Sequence, residues 1–173
     1  MSNESIEDRL SALEEAVAQL SAVPAKPAEP NSPLERMNEM LWALNGLECR
    51  IPDGGIIYTG SVQTPAGALV RWQYGQTGPD IFAENWSDQA ERLAALGNPI
   101  RLRILQAVLN GSTSAAQLVE EIDAGTSGQV YHHLKELTAA GWLASPKRGL
   151  FDVPASRVVP LLAILVASGT PQA

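Results

Sequence analysis

Residues 126–143 read TSGQVYHHLKELTAAGWL, and the direction in which each side chain points decides how the chain folds around them. With about 100° of rotation per residue and Val130 at zero, Leu134 falls near 40° and Leu137 near 340°, which predicts a helix over 126–139 with one buried side. On the same wheel His132 falls near 200°, opposite the core, and His133 near 300°, on the flank.

Adjacent helical residues diverge too far to hold one ion together, because chelation on a helix needs spacing such as i, i+4. No second histidine or cysteine stands at such a spacing, and Glu136 alone does not complete a ligand set, so the pair predicts no metal site. Catalysis is not expected either. His132 has only Gln129 and Glu136 as close helical neighbours, and no nucleophile accompanies them.

The outward face is Gly128, Gln129, His132, Lys135 and Glu136, with Thr126 and Ser127 at the helix start. Their donors and acceptors suit phosphate oxygens and base edges, as on the second helix of a helix-turn-helix in a major groove. An ordinary solvated helix face is the alternative. The surroundings decide between them.

From Trp86 the pattern is helix, helix, helix, helix, hairpin, helix. Ser87 is placed to cap DQAERLAALG, which Gly97 stops. Pro99 opens PIRLRILQAVLNG, with Ile100, Ile104 and Val108 on one face and Gly111 at its end. Ser114 caps AAQLVEEI, and DAGTS turns the chain into the 126–139 helix. WLASPKRGLFDVP then reads as strand, turn, strand, with Pro146 and Gly149 framing Lys147 and Arg148. Three helices with a wing are predicted.

The terminal ASRVVPLLAILVAS is apolar almost all round, with Ser156 as expected N-cap and Pro160 in the first turn. Such a helix must be buried, either inside this domain or in a dimer interface.

Upstream the texture differs. Ile6, Leu10, Leu13, Val17 and Leu20 follow the a/d spacing of two heptads, so residues 1–21 are read as a docked amphipathic helix or a self-associating arm. Pro24, Pro27, Pro30 and Pro33 make residues 22–33 an extended spacer. A helix capped by Ser32 is expected from Pro33 to about Asn45. Alternation at Ile56, Tyr58, Gly60 and Val62, then at Ala68, Val70, Trp72 and Tyr74, predicts a hairpin with one aromatic face. That face packs on the body or a partner, or lines an effector pocket.

The totals set outer limits. The chain has 173 residues, 45% hydrophobic, with a formal charge of −7. Divided by segment, residues 1–21 carry −4 and residues 22–85 carry −3, while residues 86–173 hold seven charges of each sign. The acidity belongs to the N-terminal half, so it does not argue against a nucleic-acid partner for the rest, although no strong basic footprint appears. Cys49, the single cysteine, rules out an intramolecular disulfide framework and reads as a small buried hydrophobe, or else an accessible redox thiol. Trp42, Trp72, Trp86 and Trp142 read as core. Arg101 or Arg103 is a candidate for a phosphate contact, against a solvated or intramolecular role. No signal sequence or membrane span is expected, which predicts a cytoplasmic protein. PDGGIIYTG lacks the glycine spacing and Lys-Ser/Thr of a phosphate loop, no enzymatic constellation is present, and no cofactor is implied.

Together, LAALGNPIRLRILQAVLNG, SAAQLVEEI, SGQVYHHLKELTAAGWL and KRGLFDV resemble, in order, spacing and content, the ArsR family of winged helix-turn-helix transcriptional regulators. The resemblance covers about residues 87–168. It implies that Thr126–Ala139 is a recognition helix, that the 142–153 wing meets DNA, and that the protein is a homodimer on a near-palindromic operator. Carried onto this chain, Thr126, Ser127, Gln129, Tyr131, His132, His133 and Lys135 would contact double-stranded DNA, with Lys147 and Arg148 on the wing.

Two departures qualify this. SAAQLVEEI and ASRVVPLLAILVAS hold no cysteine or histidine, so the metal-sensing role is not transferred. The recognition helix has no arginine, the commonest reader of guanine. The expected fold is mainly α with a small β component: a winged helix-turn-helix domain preceded by a coiled-coil-like helix and a helix plus β-hairpin extension. The domain limits are 1–21, 22–33, 34–85, 86–154 and 155–173. The expected function is a homodimeric regulator, a repressor by default, with a small-molecule effector or protein partner left open. A winged-helix protein-interaction module with weak or no DNA binding is the alternative.

Overall fold

The computed structural model describes residues 9–11, 13, 14, 41–122 and 126–169. The chain divides into two compact units, Met1–Gly46 and Leu47–Ala173. Most of the 1–21 arm, the whole 22–33 spacer, the Ser32 cap and the residues 123–125 of the turn lie outside the described residues. In the first unit Leu10, Leu13 and Trp42 are exposed.

Helix α1 spans Trp42–Arg50. It therefore runs past Asn45, where the sequence had placed its end, and Gly46 continues it rather than stopping it. Cys49 is exposed, contrary to its reading as a buried hydrophobe. No residue of this helix is buried, so among the described residues it offers Cys49 no core to join.

In the second unit, strands β1 (Gly55–Gln63) and β2 (Leu69–Thr77) form the expected antiparallel hairpin, with Tyr58 opposite Tyr74, Gly60 opposite Trp72 and Val62 opposite Val70. Thr64 closes the turn. Its amide donates to the Ala68 carbonyl at 2.8 Å, and its hydroxyl accepts from the Ala68 amide at 3.1 Å. The face carrying Tyr58, Val70 and Trp72 packs on Val158 and Val159 of the last helix. A Cβ at Gly60 would stand 2.7 Å from Val159 Cγ1, so only glycine permits this approach.

Helix α2 (Gly78–Ala83) and a 3-10 turn (Trp86–Gln89) lead into α3 (Ala90–Leu96). Asn85 caps the 3-10 turn, its Oδ1 accepting from the Ser87 amide, so Ser87 is not the cap that the sequence predicted. Asn85 precedes the turn and has a side chain long enough to reach back to that amide. Trp86 and Trp42 are exposed, whereas Trp142 is buried and Trp72 half-buried, so only two tryptophans behave as core.

Helices α4 (Pro99–Asn110), α5 (Ala115–Glu121) and α6 (Ser127–Ala139) make the tri-helical body. Asn98 caps α4 through its side chain. Gly111 ends it at φ 114°, a left-handed conformation that favours glycine. Ser114 and Gln117 form a capping box on α5. Ile104, Leu105, Leu118, Val130, Leu134 and Leu137 are almost fully buried. Each such side chain contributes about 1.5–3 kcal/mol by leaving water.

Strands β3 (Ala144–Lys147) and β4 (Leu150–Asp152) form the wing, with Arg148 and Gly149 between them. Two backbone bonds tie it to the start of α5: the Phe151 amide donates to the Thr113 carbonyl at 2.8 Å and the Ala115 amide to the Gly149 carbonyl at 2.9 Å. Helix α7 (Ala155–Ser168) follows. Its N-cap is Pro154 rather than Ser156, and Pro160 lies inside the helix beyond its first turn. Proline at 154 fixes the entry φ two positions early, and the helix grows from there. Val158, Val159 and Leu161 are buried, but Leu165 and Val166 are exposed, so the helix is covered on one side only. The fold is mainly helical with small two-stranded sheets and a helix-turn-helix body, as the sequence predicted.

Candidate nucleic-acid interface

Helix α6 is held by its apolar stripe, Val130, Leu134 and Leu137, each no more than 1% exposed. Its start is fixed by a capping box. The Thr126 hydroxyl accepts from the Gln129 amide at 3.3 Å, and the Thr126 amide donates to Gln129 Oε1 at 3.2 Å. Gln129 thus spends its carboxamide oxygen on the helix and keeps its NH2 group for solvent.

The opposite face carries Ser127, Gly128, Gln129, His132, Lys135 and Glu136, all exposed. Thr126, Ser127, Gln129, His132 and Lys135 are therefore brought together on the outer side of one helix. His133 is not among them. It is half-buried on the flank, its ring centroid 5.7 Å from that of His132, and its Nδ1 is buried without a hydrogen-bond partner among the described residues. Burial lowers its pKa from the ordinary 6.5, the Arg101 guanidinium and His132 lower it further, and Glu136 opposes them. A proton is therefore disfavoured on this ring.

Arg101 does not reach outward. Its Nε donates to the Ala95 carbonyl at 2.6 Å and its Nη2 to the Ala94 carbonyl at 2.8 Å, closing the C-terminal end of α3. The intramolecular reading of this arginine holds.

Tyr131 lies on the other flank of α6, about half exposed. With Leu134 and Lys135 it lines a groove of about 480 Å3 whose far side is Ser145 and Phe151 of the wing. Ser145 and this groove escaped the sequence reading, because the strand alternation says nothing of where a wing folds back. Lys147 closes β3 and Arg148 occupies the turn, both exposed. Two surfaces result: a polar helix face with one lysine and one glutamate, and a short wing with two cations.

Among the described residues no group of three His, Cys, Asp or Glu side chains could hold a metal ion, and no helix is long and apolar enough to cross a membrane.

A family model for a helix-turn-helix domain matches residues 96–144, from the last residue of α3 to the first of β3. The match fits a DNA-binding regulator with a winged helix-turn-helix. No curated protein and no solved structure matches the chain.

Proposed function

We propose that this protein is a homodimeric, sequence-specific DNA-binding transcriptional regulator of the ArsR type, without metal sensing or enzymatic activity, working in the cytoplasm as a repressor. The observation that carries this reading is α6 itself. Its apolar stripe is buried, its N-terminus is capped, and its outer face is polar and exposed beside a wing bearing Lys147 and Arg148.

In this reading Thr126, Ser127, Gln129, His132 and Lys135 meet the major groove, with Tyr131 on the wing side and His133 at the margin. Lys147 and Arg148 meet the backbone or minor groove. Self-association uses the uncovered side of α7, where Val166 is exposed, and a two-fold dimer then reads a near-palindromic operator. Residues 1–21 add a coiled-coil arm, 22–33 a spacer, and 34–85 a brace or sensor for the 86–154 domain and the 155–173 dimerisation segment.

The test is a titration of the purified protein against the duplex upstream of its own coding sequence and a scrambled duplex, at two salt concentrations. Preferential binding to the first, weakened by His132→Ala or Gln129→Ala, supports a sequence reader. Equal binding lost at modest salt, or none, sinks it.

A second reading has its own support. With no arginine on α6 and no net charge over residues 86–173, the winged fold serves as a protein-interaction module with weak or no DNA affinity. Absence of duplex binding would move it to first place.

A further inference from the structure

A cavity of about 380 Å3 lies between α4 and α7, away from the exposed face of α6. Its size suits a small molecule. Leu105 and Leu161, each 1% exposed, form its floor, and Leu162 stands half-buried beside them. Pro65 of the hairpin turn adds a wall that three helices and a wing alone would lack. The turn is held there by the Ala66 amide, which donates to the Leu109 carbonyl of α4 at 3.3 Å.

Against this apolar lining stands one charge. Among the described residues that line the cavity, Arg103 alone is ionisable, and among the described residues its guanidinium has neither an ion pair nor a hydrogen bond. Gln106, almost one turn further along α4, adds a carboxamide to the same rim.

The geometry points to a binding site for a small amphipathic carboxylate, its aliphatic chain on the leucines and its head group on Arg103. A chain laid on leucine leaves water favourably, and a carboxylate matches the planar guanidinium fork in two parallel hydrogen bonds. A cationic head would meet an unpaired arginine, and an alcohol would forgo the charge-assisted bonds. Binding of the acid is independent of the DNA-reading role, while any effect of it on an operator rests on that reading.

Calorimetric titration of the full-length protein with decanoate, decan-1-ol and decyltrimethylammonium tests the site. Decanoate is expected to saturate at one per chain and to bind about tenfold tighter than the alcohol, the cation binding least. Arg103→Gln, a change at an exposed position, should lower decanoate affinity about tenfold and leave that of the alcohol unchanged. Equal affinity for the three ligands, indifference to Arg103→Gln, or no saturable binding would overturn the proposal. Sedimentation in the same buffers covers the remaining case: a dimer that excludes decanoate assigns these leucines to the second copy, which also overturns it. Duplex titration without decanoate reads the DNA role by itself, so the two failures are told apart.

Discussion

The Trp142 indole Nε1 donates a 2.9 Å hydrogen bond to the Arg92 carbonyl, joining residues 50 apart in the chain. The same ring is 3% exposed and lies under the Arg157 guanidinium, whose Cζ is 5.5 Å from the ring centroid. One side chain thus links α3, the entry to the wing and the first turn of α7.

Trp142→Phe keeps most of the apolar volume and deletes the donor, leaving the Arg92 carbonyl to seek water. A loss of about 1 kcal/mol in urea unfolding is expected. Trp142→Ala also opens a cavity and should cost about 3–5 kcal/mol. Equal losses for the two would mean that the hydrogen bond contributes nothing.

Gly60→Ala places a methyl group against Val159 Cγ1, where 2.7 Å is too close for two carbons. The expected cost is about 1–3 kcal/mol, because hairpin or helix must shift. Ser61→Ala, on the exposed face of the same strand, should be close to neutral. If both variants melt together, the hairpin does not press on α7.

The depressed pKa of His133 gives stability a pH dependence of known sign. The unfolded chain takes up the proton near 6.5, while burial and the Arg101 guanidinium make the folded chain resist it at that pH. The contribution is therefore complete above 6.5 and is lost as pH falls below it toward the folded pKa. His133→Gln should remove that part of the slope in denaturation midpoints measured between pH 5 and 8, while His132→Gln should only reduce it, because burial and Arg101 remain.

Thr126→Ala removes the hydroxyl that accepts from the Gln129 amide, so α6 should lose about 1 kcal/mol. On the proposed DNA role, Lys147→Ala and Arg148→Ala should each weaken all duplexes alike and lower the salt slope of binding by about one. Gln129→Ala should instead weaken the preferred duplex selectively. A uniform loss for Gln129→Ala would remove it from the reading face.

The sequence announced the helices of the body because caps and stripes are local. Pro99 to Gly111, the Ser114 cap, and Val130 with Leu134 and Leu137 follow from spacing alone, while the Asn98 cap and the Gln117 half of the capping box were not read. Where the reading failed, a partner decided the outcome. Cys49 and Trp86 are apolar enough for a core, yet both are exposed, Trp86 meeting Phe82 and the Ile81 carbonyl of α2. Asn85 took the cap from Ser87 because it lies one residue ahead of the 3-10 turn. Arg101 was open to a phosphate or an intramolecular role until the C-terminal end of α3 offered two carbonyls. The candidate site shows the same division: the polar face of α6 was written in its rotation angles, while the groove between Tyr131 and Phe151 exists only after the wing has folded back.

The bonds from Phe151 to Thr113 and from Ala115 to Gly149 anchor the turn and the β4 side of the wing to the root of the helix-turn-helix. On the proposed DNA role the wing and α6 would act as the two fixed jaws of a caliper. Any duplex gripped by both must supply the curvature itself, so stiffness and groove width would be selected at base pairs that no side chain touches.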